Sequence, residues 1–156
     1  MQTPASHRRR MLAQSAAVAA LLAAAGLWPG QARAAWNRAA FEARSLADVV
    51  KALGGAAPVA SKDVLLGGPD IAENGSVVPL VLSSGLAGIR RLVLLVEKNP
   101  NILSAVFELG EGVEADFRLN LKMAQSSNVY LVAMMDDGRV LYALREIKVT
   151  IGSCGV

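Results

Sequence analysis

Apolar and polar positions divide the chain into three regimes. From Met11 to Trp28 the residues are almost all alanine and leucine, with no polar face. From Trp36 to Leu53 the period is helical. Phe41, Leu46, Val49, Val50 and Leu53 fall mainly on one side, with Arg38, Glu42, Asp48 and Lys51 around it. Ser45-Leu46-Ala47-Asp48 has the form of a capping box with Asp in place of Glu, so the helix can restart there. Gly54-Gly55 is its expected stop. The mixed charges favour a helix packed on a core over one lying on a membrane surface.

After Pro58 the pattern turns to short apolar runs divided by turn residues. Val64-Leu65-Leu66 is a candidate strand, followed by turns at Gly67-Gly68-Pro69-Asp70 and at Asn74-Gly75. Val77 to Leu82 is a nearly continuous apolar run. Its Pro79 cannot donate to a ladder and predicts an edge position or a bulge. Ile89 to Val96 and Ile102 to Leu109 follow, the latter with Leu103, Ala105, Phe107 and Leu109 on one face. The alternation is cleanest from Val113 to Met123. Val113, Ala115, Phe117, Leu119, Leu121 and Met123 oppose Glu114, Asp116, Arg118, Asn120 and Lys122, as in a half-buried antiparallel strand. Val129 to Met135 and Val140 to Ile151 form a last pair across Asp136-Asp137-Gly138-Arg139, a hairpin signal. In the final strand the apolar parity moves from Val140, Tyr142 and Leu144 to Ile147, Val149 and Ile151. A one-residue slip exchanges the faces of a strand, so a β-bulge is expected at Arg145-Glu146. The runs Val77–Leu82 and Leu92–Val96 are apolar at both parities; either a partner or the N-terminal helix would cover them. Six or seven such strands predict a mainly β fold: an immunoglobulin-like antiparallel β-sandwich with an N-terminal helix.

Charge changes the picture only once the first regime is set aside. Of 16 basic residues, four (Arg8, Arg9, Arg10, Arg33) lie in the first 34, which contain no acid. The remainder holds 12 basic against 13 acidic residues, so the basic pI carries no nucleic-acid reading. Basic residues, an apolar run and Ala32-Arg33-Ala34 make a secretory leader, cleaved after about Ala34. Arg8-Arg9-Arg10 before Met11-Leu12 resembles a twin-arginine signal, suited to periplasmic export of a folded protein. No lipid-attachment cysteine follows, and no membrane anchor is expected after cleavage. The expected organisation is a leader over 1–34, a domain over 35–151 and a carrier arm over 152–156.

The candidate chemistry is sparse. The single histidine, His7, lies in the leader, which excludes a histidine-based catalytic unit from the mature chain. One cysteine builds neither a thiolate metal site nor a Cys-x-x-Cys pair. Glu108, Glu111, Glu114 and Asp116 alternate with apolar residues and read as a solvated strand face. Met134-Met135 reads as core. No cofactor is expected. What is left is Cys154, in Gly152-Ser153-Cys154-Gly155-Val156, after the last strand and two residues before the end of the sequence. Gly152 and Gly155 leave the backbone thin and free around the sulfur. A lone cysteine in an exported protein is either an intermolecular disulfide partner or a free thiol. At its ordinary pKa of about 8.5 a thiol is only a few per cent thiolate at neutral pH, and nothing adjacent activates it. It reads as an attachment point rather than a nucleophile of its own. The other reading is a periplasmic β-sandwich binding or structural protein whose cysteine only forms an intermolecular disulfide.

These features together resemble the SoxY family of sulfur carriers in bacterial thiosulfate oxidation. The resemblance rests on the leader, the helix from Phe41-Glu42-Ala43-Arg44-Ser45, the stretch Ala72-Glu73-Asn74-Gly75 to Val78-Pro79, and the ending Lys148 to Val156. The family ends in Gly-Gly-Cys-Gly-Gly; here Ser153 and Val156 stand at two of the glycine positions. The resemblance implies a non-enzymatic subunit, without a cofactor, that pairs with a SoxZ-like β-sandwich subunit as a heterodimer. It implies covalent sulfur attachment at Cys154, with Gly152, Ser153, Gly155 and Val156 as the arm. It implies transient visits to a SoxXA-type haem enzyme, a SoxB-type hydrolase and a sulfane dehydrogenase.

Overall fold

The computed structural model describes residues 11–18, 20, 21 and 37–151, Ile151 by its backbone only. The chain divides into two compact units, Met1–Trp36 and Asn37–Val156. In the first, the described residues are helical. No helix among the described residues is long and apolar enough to cross a membrane. The expected cleavage position and the arm 152–156 lie outside the described residues.

The second unit opens with two short helices, α1 (Arg38–Glu42) and α2 (Leu46–Ala52), where the periodicity predicts one helix with a restart. Asn37 caps α1 by accepting from the Ala40 N–H at 3.0 Å, and its amide donates to the Ala52 carbonyl at 2.8 Å, tying the two helices together. Ser45 caps α2 by accepting from the Asp48 N–H at 3.1 Å, one half of the expected capping box, while the Asp48 carboxylate accepts from the Ser45 hydroxyl at 2.6 Å. Gly54, at φ 79°, ends it in the left-handed region where a Cβ is disfavoured.

Among the described residues nine strands follow: β1 (Val59–Ala60), β2 (Val64–Gly67), β3 (Ile71–Asn74), β4 (Val78–Ser84), β5 (Ile89–Val96), β6 (Leu103–Glu108), β7 (Ala115–Leu121), β8 (Ser127–Met135) and β9 (Val140–Ile151). They form a large sheet in the order β1-β9-β8-β5-β6, with β3 also on β9, and a small sheet β2-β4-β7. The two face each other as a sandwich. Val64, Leu66, Leu80 and Leu82 of the small sheet pack with Leu92, Leu94, Leu131 and Ile147 of the large one. All pairings are antiparallel except β1 with β9 and β3 with β9. Neither β1 nor β3 is among the strands read from the sequence.

The expected bulge at Arg145-Glu146 is absent. β8 and β9 stay in register from Met134↔Val140 to Ser127↔Ile147 without a shift. The parity changes because the large sheet is covered on both faces. Val140 and Tyr142 belong to a second cluster under α2, with Val49, Val50, Val93, Leu95 and Val132. Ile147 and Val149 face the sandwich interior. The strand keeps its register, and the cover on its outer face changes along its length. The same helix accounts for the double-sided burial of Leu92–Val96, all five residues fully buried. Pro79 sits in the middle strand of the small sheet, yet beyond the last β2 pair, Gly67↔Val81, so only β7 flanks it. A missing N–H costs nothing on that open side. Val113, expected inward, is exposed, since β7 begins at Ala115. Met134 and Met135 are core.

Candidate functional site

The twelve residues of β9 lead to the stretch that carries Cys154, so its far end is the root of the candidate site. β8 accompanies β9 only as far as Ile147. On the opposite edge β1 covers Leu141 and Tyr142, and β3 takes over at Lys148, Val149 and Ile151. Ala72-Glu73-Asn74-Gly75, far away in sequence, therefore lies alongside the root.

Side chains secure what the ladders leave open. The Lys148 N–H donates to the Asp70 carbonyl at 2.9 Å. On the β8 side, where the strand partner has ended, the Ser126 hydroxyl accepts from the Val149 N–H at 2.8 Å and donates to the Val149 carbonyl at 3.3 Å. On the β3 side, the Thr150 hydroxyl donates to the Glu73 carbonyl at 2.8 Å. Arg145 reaches Asp70 at 2.9 Å, but Asp70 is 88% exposed, so the pair contributes little.

The surrounding loops are tied in turn. Asn74 accepts from the Ser76 N–H at 2.8 Å, closing an Asx turn, and the Gly75 carbonyl accepts from the Met123 N–H at 2.7 Å. Asn99 donates to the Lys122 carbonyl and accepts from the Ala124 N–H, both at 2.9 Å, which pins the loop before Ser126. The Ser127 hydroxyl, buried, accepts from the Lys98 N–H at 3.0 Å. Lys98, Lys122 and Lys148 at this end are exposed and form no ion pair among the described residues. On the neighbouring β8, burial, and then the charge of Glu97, raise the Tyr130 phenol above its ordinary pKa.

No group of three or more metal-ligating side chains occurs among the described residues. Of the carboxylates considered from sequence, Glu108 is engaged by Arg91 at 2.6 Å. Glu111, Glu114 and Asp116 line a cavity of about 890 Å³ between the β4–β5 and β6–β7 loops, at the opposite end of the sandwich from the root. Among the described residues the structure thus offers a strand end held on both edges. Ser126, Asn99 and Thr150 escape a sequence reading. They act through hydrogen bonds across 23 to 77 residues, and no local pattern announces them.

A family model described as sulfur oxidation protein SoxY matches residues 49–154, from α2 to Cys154 itself. No curated protein matches the chain. Among solved structures, it is similar to the sulfur carrier protein SoxY from Chlorobium limicola f thiosulfatophilum, with 26% identity and a TM-score of 0.60 over 66% of this chain and 93% of that one. It also matches superoxide reductase (neelaredoxin) from Ignicoccus hospitalis, with 22% identity and a TM-score of 0.46 over 55% of this chain and 79% of that one. With more than half of its length matched by the family model, the chain belongs to the SoxY family of sulfur oxidation proteins, sulfur carriers of the Sox system rather than enzymes.

Proposed function

We propose that this protein is a periplasmic sulfur carrier that holds thiosulfate-derived sulfur covalently on Cys154. The supporting observation is that the family match runs through Cys154, directly beyond a strand end fixed on both edges. In this reading residues 1–34 are an export leader of twin-arginine type, 35–151 the rigid sandwich and 152–156 the carrier arm. A SoxZ-like subunit completes a heterodimer. The sandwich presents the arm to a SoxXA-type haem enzyme, a SoxB-type hydrolase and a sulfane dehydrogenase.

The chemistry divides between the thiol and its visitors. In loading, the Cys154 thiolate and thiosulfate form an S–S bond and two electrons pass to the haem enzyme, leaving a Cys–S–S–SO₃⁻ adduct. In hydrolysis, water displaces the sulfone group as sulfate and leaves the sulfane sulfur on the cysteine. Neither step needs a base on the carrier. Five residues span at most about 18 Å when extended, and Cys154 is the third of them. The thiol thus reaches an enzyme cleft while the domain stays outside, and tethering keeps the intermediate from diffusing away.

Intact-mass measurement after thiosulfate is supplied with the native loading system tests this reading. Adducts of thiosulfate mass that vanish in Cys154→Ser are expected. A thiol that only dimerises through a disulfide, with no sulfur adduct, overturns it. Ser153 and Val156 add bulk where the family has glycine, so Ser153→Gly with Val156→Gly is expected to load faster. Equal rates with the same loading enzyme would dispose of that expectation.

A further inference from the structure

We propose that Ser126 is a positioning residue of the carrier arm: its hydroxyl stands in for the missing β8 backbone beside Val149 and sets the point from which the arm leaves the sandwich. This rests on the carrier reading of Cys154.

A ladder whose partner strand has ended frays, because its outward N–H and C=O groups exchange with water. β8 ends at Ser127, opposite Ile147. Val149, two residues further on, still has both of its backbone groups occupied on that side, by the one oxygen of Ser126 at 2.8 and 3.3 Å. A serine or threonine hydroxyl both accepts and donates from one atom; alanine does neither. The oxygen is held in place, since Ser126 is half-buried and follows the loop that Asn99 and Gly75 pin. On the other edge Thr150 is tied to Glu73. The two hydroxyls grip consecutive residues from opposite edges, and Asn74 pairs with Ile151, so β9 is held through Ile151.

The grip matters because reach and local concentration are set by where the loose chain starts. Each additional freed residue lengthens the tether by up to about 3.5 Å. It also dilutes the thiol at the entrance of a cleft of fixed depth. Loss of the Ser126 bonds therefore weakens productive encounter with the loading enzyme and leaves the chemistry of the bound thiol as it was.

The test compares full-length wild type, Ser126→Ala and Ser126→Thr. In Ser126→Ala the Val149 amide is expected to exchange with solvent about tenfold faster, the equivalent of one lost hydrogen bond. The KM of the loading enzyme for the carrier should rise several-fold with little change in kcat. Alkylation of Cys154 by a small maleimide, which needs no cleft, should be unchanged. Ser126→Thr, which keeps the hydroxyl, should restore both values. Wild-type exchange at Val149 in Ser126→Ala, or a fall in kcat alone, overturns the proposal; so does failure of the threonine variant to restore KM. Should Ser126→Ala not fold, Thr150→Val removes the opposing tie, and an unchanged KM there counts equally against it. If wild-type Cys154 takes up no sulfur at all, the carrier reading fails, while the Val149 exchange comparison still decides the anchor.

Discussion

Single residues mark where the packing has no slack. Gly55, between α2 and β1, is one such position. A Cβ there meets Met134 Cε and Val50 Cγ1 at 2.8 Å and Val140 Cγ2 at 3.1 Å. A methionine terminus can move aside, but Val50 is buried and its β-branched side chain has essentially one rotamer in a helix. Gly55→Ala is therefore expected to cost about 1–3 kcal/mol by overpacking, read as a lower urea midpoint. At the β8–β9 turn, Asp137 is held below the ordinary aspartate range, first by the Arg139 backbone N–H and then by its guanidinium. A lowered folded-state pKa means the ionised carboxylate favours the fold. That contribution is present at neutral pH and fades as pH falls through the lowered value. Asp137→Asn should lower stability slightly at neutral pH and leave the most acid region as it is, which flattens the acid limb between them. An unchanged acid limb would show that the two bonds to Arg139 carry no stability. The Asp137 side chain is exposed, so the effect is small.

At the scale of elements, β9 is decisive because one face packs on the sandwich core along its length while α2 covers the other face only over its first half. Ile147 is fully buried in the sandwich core, whereas Leu144 is 52% exposed. Ile147→Ala should cost about 2–5 kcal/mol. Leu144→Ala, at the surface, should stay within about 0.5 kcal/mol. Similar losses for both would indicate the bulged strand that the sequence predicts. The alternation of β7, the β8–β9 hairpin and the capped restart of the helix are all legible, because each depends on neighbours within a few residues. β1 and β3 are not. They have two and four residues and pair in parallel with a strand dozens of residues away, so no long alternation marks them, and the turn residues on either side of β3 do not announce its partner. The bulge expectation fails for a related reason. Parity shows that a face changes, but only tertiary structure shows that α2 covers the first half of β9. Cys154 is legible as a lone thiol between glycines, whereas its foundation is not. Ser126 and Thr150 are ordinary polar residues until the fold sets them on either side of β9.

Across the whole molecule, length separates the carrier end from the cavity. β9 runs from beside Asp136, which lines the cavity, to Ile151 at the root. Twelve strand residues cover about 36 Å. In the proposed carrier reading the five residues after Ile151 span at most about 18 Å when extended, and Cys154 is the third of them. The thiol of one molecule thus falls short of its own cavity, and sulfur loading should not depend on the acidic groups there. Glu114→Gln combined with Asp116→Asn is expected to load Cys154 at the wild-type rate. The same measurement on Cys154→Ser should give no adduct, so the assay has a full range against which to see a loss. A clear fall in loading for the cavity variant would sink the idea that the carrier works from its β9 end alone. It would instead make the far loops, more than 30 Å from the root by the length of β9, part of the surface the loading enzyme grips.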